Sequence, residues 1–320
     1  MSLVRVAAVV VRRSAAAVLV LAVLSVLIFA VTEVLPGDAV GAVAGTDATM
    51  SDREQLRREF GLDAHPVRRY VEWAGAAVQG DLGTGYVGRR EVTEVLAERL
   101  PNSLLLTTLA MAMAVPLAVV IGLLAGMRAG RRTDRLVSTA ALVAVGIPEF
   151  LVAALLVAVF AAGLGLLPEV SLVPLGGRPW DEPRILVLPV AALSVAALAA
   201  AARLLRASVA EIAAAPYVEA ARLRGVTGLQ LAVRHVLPNA VAPAVQVTVV
   251  MFAGLIGGAV VVETLFNYPG IGYELQQAVA NRDVPMVQGL ALATCATALV
   301  ILLLGDLVQL ALSPTLRGRS

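Results

Sequence analysis

Lysine is absent from the 320 residues, so all 25 basic residues are arginine. A P-loop needs a lysine that reaches the β/γ-phosphates, and Schiff-base chemistry needs a lysine amine, so both are excluded. One cysteine, Cys295, and two histidines, His65 and His235, cannot build a disulfide framework or a four-ligand Cys/His zinc site. No metal site and no nucleic-acid partner are expected. Neither a Gly-x-Ser-x-Gly run nor a His-Glu-x-x-His run occurs, so an integral-membrane hydrolase, the rival from another class, lacks its usual signatures and no catalytic residue is assigned. Charge is also scarce, at 15% of residues against about 25% in soluble domains, and aromatics make up only 4%. What replaces them is apolar: 59% of the chain is hydrophobic and the mean hydropathy is +0.86. That composition excludes an ordinary soluble domain and points to a membrane protein.

Six stretches, at about 15–35, 104–126, 136–160, 185–206, 243–262 and 286–312, have the roughly 20 apolar residues that a membrane-crossing helix needs. The first follows Arg5, Arg12 and Arg13, and Ala42-Val43-Ala44 resembles a cleavage site. Its apolar core nevertheless exceeds the 7–15 residues of a signal peptide, and an uncleaved first span is expected. Arginines near span ends stay cytoplasmic. With the N-terminus inside, fourteen arginines fall in cytoplasmic segments, among them Arg128, Arg131, Arg132, Arg135, Arg203, Arg206, Arg317 and Arg319, against Asp134, Glu211 and Glu219. The short outer loops hold only Arg178, Arg184 and Arg282, and the other eight lie in the long segment after the first span, which escapes the rule. The expected organisation is a cytoplasmic N-terminus at 1–14, a first span at 15–35, an extracytoplasmic helical segment at 36–103, five further spans within 104–312 and a cytoplasmic C-terminus at 313–320.

The outer segment carries its own helix signals. Ser51-Asp52-Arg53-Glu54 has capping-box spacing ahead of Leu56 and Phe60, with Gly61 as a stop. Pro66 suits a first helical turn, and Val67, Tyr70, Val71, Ala74 and Val78 share one face before Gly80. A third amphipathic run with Val92, Val95, Leu96 and Leu100 is expected to end at Pro101. Tyr70 and Trp73 suit a membrane interface; an ordinary packed extracytoplasmic subdomain is the other reading.

Roughly 35 residues, 207–242, separate the fourth and fifth spans, more than neighbouring helices require. Pro216 can start a helix, Gly225 can end it, and Thr227 can cap a second helix that stops before Pro238. Chemically this loop is inert, so a docking role is indicated. Glu219-Ala220-Ala221, then Gly225, then Leu237-Pro238 resemble the EAA signature of permease subunits of bacterial ABC importers. His235 departs from it, standing where an aliphatic residue is usual, and Arg224 stands where lysine is common. Leu35-Pro36-Gly37-Asp38, Phe60-Gly61-Leu62-Asp63, Gly80-Asp81-Leu82-Gly83, Glu98-Arg99-Leu100-Pro101-Asn102-Ser103, Val262 through Gly272 and Arg282 through Gly289 extend the resemblance along nearly the whole chain, toward the dipeptide/oligopeptide/nickel branch.

The resemblance implies an all-α polytopic permease of six transmembrane helices, of type I ABC importer architecture, in the bacterial inner membrane with both termini cytoplasmic. It implies a transport subunit, not an enzyme, for di- or oligopeptides or a similar small solute, with nickel or a metallophore as the alternative cargo. Its partners would be a second, homologous permease, two ATPase subunits that bind ATP and Mg, an extracytoplasmic solute-binding protein and membrane lipid; this chain would hold no cofactor. Glu219, Ala220, Ala221, Gly225, Leu237 and Pro238 would couple to the ATPase, and Glu263, Asn267, Tyr268 and Pro269 would form an outer gate or contact the binding protein.

Glu149 lies about fourteen residues beyond Arg135, roughly 21 Å into its span at 1.5 Å per residue, where a carboxylate is costly. It either lines the translocation path and favours a cationic group, or is a structural glutamate near a kink at Pro148. Asp306 lies near the inner end of the last span, where it either pairs with a cytoplasmic arginine or meets water; it and Glu149 are the candidate titrating groups for a third class, an autonomous channel or proton-driven carrier. Gly122/Gly126 and Gly254/Gly258 have the GxxxG spacing that permits close helix approach, the latter pair being candidates for the path or for contact with a second permease. His65 and His235 are expected to be structural or solvated.

Overall fold

The computed structural model describes residues 3–34, 41, 44, 49–174 and 177–312. Leu35-Pro36-Gly37-Asp38, Ala42-Val43, Arg317 and Arg319 lie outside the described residues. Twelve α-helices make up the described chain: α1 Leu3–Val34, α2 Met50–Glu59, α3 Pro66–Val78, α4 Val92–Gly126, α5 Arg132–Gly146, α6 Glu149–Leu156, α7 Val187–Ala213, α8 Pro216–Leu223, α9 Gly228–Leu231, α10 Leu237–Leu265, α11 Ile271–Ala280 and α12 Val284–Leu312. Among the described residues there is no strand, only an isolated antiparallel bridge between Thr84 and Glu91.

Among the described residues, five segments are long and apolar enough to cross a membrane: Val10–Val34, Val92–Gly126, Pro183–Ala213, Val247–Leu265 and Val284–Leu307. The sixth expected span, 136–160, is two helices, Arg132–Gly146 and Glu149–Gly163, bent by 100°. The residue before a proline is pushed into extended backbone. Ile147 accordingly takes ψ 123° and ends α5, Pro148 follows at ψ 141°, and α6 restarts at Glu149. A π-helical turn, Val157–Gly163, prolongs α6.

Three helix boundaries differ from expectation. The capping box of α2 is made by Thr49 and Asp52, not Ser51 and Glu54: the Thr49 hydroxyl accepts from the Asp52 N–H, and the Asp52 carboxylate accepts from the Thr49 N–H. The run at Val92 does not end at Pro101 but continues to Gly126 as α4. A proline costs a helix one N–H and a local clash, which a long apolar span tolerates. Likewise the helix after Thr227 does not stop before Pro238; it runs through a π-helical turn at Ala232–Val236 into α10, with Pro238 in the first turn, where its missing N–H costs least.

The described residues fall into two compact units, one drawn from Met1–Ser103 and Pro269–Leu303, the other from Leu104–Tyr268 and Leu304–Pro314. In the first, Val92, Val95, Ile271, Ala278, Met286 and Leu290 form the core. The amphipathic α3 packs Tyr70 and Trp73 against Phe29 of α1, with the Tyr70 hydroxyl 3.0 Å from Ser25 Oγ. Gln288 of α12 donates to Thr32 of α1 at 2.7 Å. The buried Asp283 carboxylate accepts from the backbone N–H groups of Tyr86 and Val87 at 2.9 and 3.0 Å and so holds the 80–91 loop. Burial pushes the Tyr86 phenol above its ordinary pKa.

In the second unit α7 is central, packing against α5, α6 and α10. Its small residues Ala192, Ala197, Ala199 and Ala202 are buried and let neighbours approach closely. The larger core includes Leu106, Leu193, Leu255, Val262, Phe266 and Tyr268. Gly122 and Gly126 explain how α4 meets α7: a Cβ at Gly122 would lie 3.0 Å from the Ala202 carbonyl, and one at Gly126 would lie 2.5 Å from Val209 Cγ1.

Candidate functional site

A second cluster in this unit, Leu123, Leu205, Val209, Val218, Ala221, Leu231 and Val236, fixes α8 and α9 to α4 and α7. Val218 and Ala221 are the inward face of α8, both fully buried. Glu219 and Ala220 point the other way and are exposed, as are Gly225 and Pro238, while Leu237 is half-buried. Of the expected coupling residues, Ala221 therefore anchors the helix and the exposed ones offer a surface. Gly225 has φ +87°, a left-handed conformation that ends α8 and that side-chain-bearing residues rarely adopt.

Tyr217, Leu223 and Leu229 of this segment are exposed at 45%, 85% and 75%, so it also presents large apolar side chains at its surface. The EAA pattern did not single these out; their signal was apolar residues in a stretch otherwise read as solvent-facing. Asn239 Nδ2 donates to Tyr217 Oη at 3.0 Å and to the His235 carbonyl at 3.2 Å, giving His235 a structural place at the base of α10. His65 caps α3, its Nδ1 accepting from the Val67 N–H.

Glu149, the first residue of α6 after the break, is half-buried and lies over α10. A Cβ at Gly258 would meet the Glu149 carboxylate oxygens at 2.7 and 3.0 Å, so the missing side chain is what admits the carboxylate there. Gly254 has open space instead, with nothing within 4 Å of a Cβ. Val247, Gly254 and Gly258 are separated by seven and four residues and share one face of α10. Val247 lines a cavity of about 660 Å³ with Ser138, Leu142 and Val145 of α5 and Arg203 and Leu204 of α7. Of the three expected path positions, Glu149 on α6 and Gly258 on α10 are brought together, and Gly254 lies one turn away on α10.

Beside that cavity stands an ion pair between two residues far apart in sequence, Asp134 and Arg206. Asp134, 2% exposed, accepts from Arg206 Nε at 2.6 Å and Nη2 at 2.5 Å. It also accepts from the Gly130 N–H at 2.7 Å. Of the expected outer residues, Glu263 and Tyr268 are fully buried, with the Tyr268 N–H donating to the Glu263 carbonyl at 2.8 Å. Burial, with Glu263 adding to it, pushes the Tyr268 phenol well above its ordinary pKa. Asn267 is exposed with φ +50°. Pro269, in the other unit, accepts from Asn102 Nδ2 at 2.8 Å. Asp306 is half-buried in α12. No group of three or more His, Cys, Asp or Glu that could hold a metal occurs among the described residues.

Comparison with known proteins matches residues 118–318 to the family described as binding-protein-dependent transport system inner membrane component, and residues 6–107 to the N-terminal region of such components. The glutathione transport system permease proteins GsiC of Escherichia coli O6:H1 and of Escherichia coli K12 are each 34% identical to this chain over 295 residues, covering 92% of it and 94% of the relative. The protein of the same name from Shigella boydii is 33% identical over the same length. A helical chain with several membrane-crossing segments agrees with these likenesses: the chain belongs to the binding-protein-dependent transport system inner membrane component family, as a permease subunit of an ABC importer and not an enzyme.

Proposed function

We propose that this permease carries small peptides or a solute of similar size and polarity, and forms half of a translocation path with a second, homologous permease. The observation that carries the cargo is likeness along 92% of the chain to permeases named for glutathione transport. Two ATPase subunits supply the ATP- and Mg-binding sites that a lysine-free chain lacks, and an extracytoplasmic binding protein delivers the cargo. Both termini are cytoplasmic, as the arginine distribution favours.

Glu219, Ala220, Gly225 and Pro238, on the exposed side of the α8–α9 segment, receive the ATPase; Ala221 and Leu237 hold that segment to the body. Glu149 faces the path at the α5–α6 break, where its carboxylate favours a cationic group such as a peptide amino terminus. Gly258 makes room for it, and Gly254 keeps the adjoining turn of α10 open. The turn at Glu263, Asn267 and Tyr268, with Pro269 next in sequence, serves as an outer gate; the burial of Glu263 and Tyr268 favours gating over surface contact with the binding protein. Transport then requires two conformations that differ in affinity for nucleotide and cargo.

The decisive test is ATP-driven uptake of a labelled dipeptide and tripeptide by vesicles holding the assembled transporter and its binding protein. Gly225→Asp adds a charge to the docking surface and puts a side chain in a left-handed conformation that costs roughly 1–2 kcal/mol. That variant is expected to insert normally and to lose ATP-driven uptake. Full uptake by it would remove the coupling assignment, and uptake of nickel without peptide would remove the cargo assignment.

A further inference from the structure

We propose that the Asp134–Arg206 pair is a coupling latch: it makes α5 move with the ATPase-docking segment, so that displacement of that segment is delivered to the break at Ile147-Pro148 and thereby to Glu149. This rests on the assignment of α8–α9 as the docking segment. Arg206 sits between Leu205 and Val209, two core members of the cluster that contains Val218 and Ala221, so it moves with α8 and α9. On its other side the α7 backbone at Ala202 and Arg206 is closed against Gly122 and Gly126 of α4. The residues 202–209 of α7 are therefore rigidly tied to the docking segment.

The α5 helix packs against α7 as well, but little of it is enclosed. Of its 15 residues only Asp134 and Ala141 are buried. Along Ser138, Leu142 and Val145 it borders the cavity of about 660 Å³, which Arg203 and Leu204 of α7 also line. What secures its first turn is Asp134, whose carboxylate takes both Arg206 nitrogens and the Gly130 N–H, with Ser138 Oγ at 3.4 Å. Asp134 is buried, so parting it from the guanidinium would leave a carboxylate without its counter-charge, and the contact acts as a fixed joint. Between this joint and Glu149 the chain is one straight helix and one proline-induced bend of 100°. An arm held at one end and broken at the other transmits motion to the break, as hinge transitions require.

Two measurements on the assembled transporter test the latch. First, Asp134→Asn is expected to lower both dipeptide uptake and the binding-protein stimulation of ATP hydrolysis at least about fivefold, within the range typical of coupling between sites, with the amount of assembled complex unchanged. Assembled complex with normal uptake and stimulation would overturn the proposal. Gly225→Asp serves as the reference: if it transports normally, the docking assignment fails; if it is inactive while Asp134→Asn is active, the latch alone fails.

Second, the native pair is kept and spin labels are placed at exposed positions in a Cys295→Ser background, which removes the chain's single cysteine. The distance between Leu136→Cys on α5 and Glu211→Cys on α7 should hold within about 2 Å between nucleotide-free and ATP-trapped states, while that between Leu136→Cys and Leu155→Cys, across the break, changes by more. A change in the first distance, or constancy of both, would overturn the latch even if Asp134→Asn fails to accumulate.

Discussion

Substituting Gly258 by alanine separates the path role of Glu149 from a purely structural one. The new Cβ would stand 2.7 Å from one carboxylate oxygen and 3.0 Å from the other, whereas ordinary contact begins at 3.4 Å. Glu149 must therefore retreat by about 0.7 Å, judged from the nearer oxygen. The obstructing atoms are the far end of a flexible side chain, so the fold absorbs the change cheaply; what is lost is the placement of the charge. Contacting residues couple by about 0.5–3 kcal/mol, and about 1 kcal/mol corresponds to a roughly fivefold fall in uptake. Dipeptide uptake by reconstituted vesicles is the assay, with Gly254→Ala as the control because its Cβ meets nothing within 4 Å. Gly258→Ala should fall about fivefold and Gly254→Ala should stay at the wild-type rate. In a Glu149→Ala background, Gly258→Ala should then cost nothing further. Equal rates for Gly258→Ala and wild type, or an undiminished effect of Gly258→Ala when Glu149 is absent, would refute the reasoning.

Two further substitutions test the packing that holds these elements in place. Gly126→Val would drive side-chain atoms into Val209 and toward the Arg206 carbonyl, both already 2.8 Å or less from a bare Cβ. Overpacking of this kind typically costs about 1–3 kcal/mol, visible as a lower melting temperature of the detergent-solubilised protein. Gly130→Ala, with nothing within 4 Å of its Cβ but φ +80°, should cost less. Asp283→Ala leaves the backbone N–H groups of Tyr86 and Val87 without their acceptor; a buried group left unsatisfied costs about 1–3 kcal/mol, and less where, as at the exposed Val87, water can take the acceptor's place. The 80–91 loop should then be cut by protease well before the wild-type loop; equal cutting rates would show that Asp283 does not hold it.

Much of the α8–α9 region was legible because its signals are local. Pro216 at a first turn and Gly225 after the last act through their own backbone and are found where their chemistry places them; Thr227 holds the N-cap position of the next helix, but its side chain makes no capping hydrogen bond. Pro148 acted locally too, though its angle did not follow from sequence. Elsewhere a local signal loses to longer-range forces: Pro101 and Pro238 suggest stops, yet both are exposed prolines with helix on either side, and the chain stays helical through them. The GxxxG pairs looked alike in sequence, but one is filled by α7 backbone and the other divides into an open turn and a seat for Glu149.

The sequence alone determined the kind of protein this is. Composition, span length and the absence of lysine are sums over residues, and sums survive ignorance of the fold. Together with the EAA pattern they led to an importer permease that leaves ATP hydrolysis to another subunit. Only the tertiary structure decided that Arg206 is committed to the Asp134 carboxylate, because the two are 72 positions apart and nothing local to either announces the other. It also decided which face of α8 is buried and that a glycine on α10 seats Glu149. Pairing across helices depends on where each helix ends and how closely two backbones approach, and a one-dimensional pattern carries neither quantity.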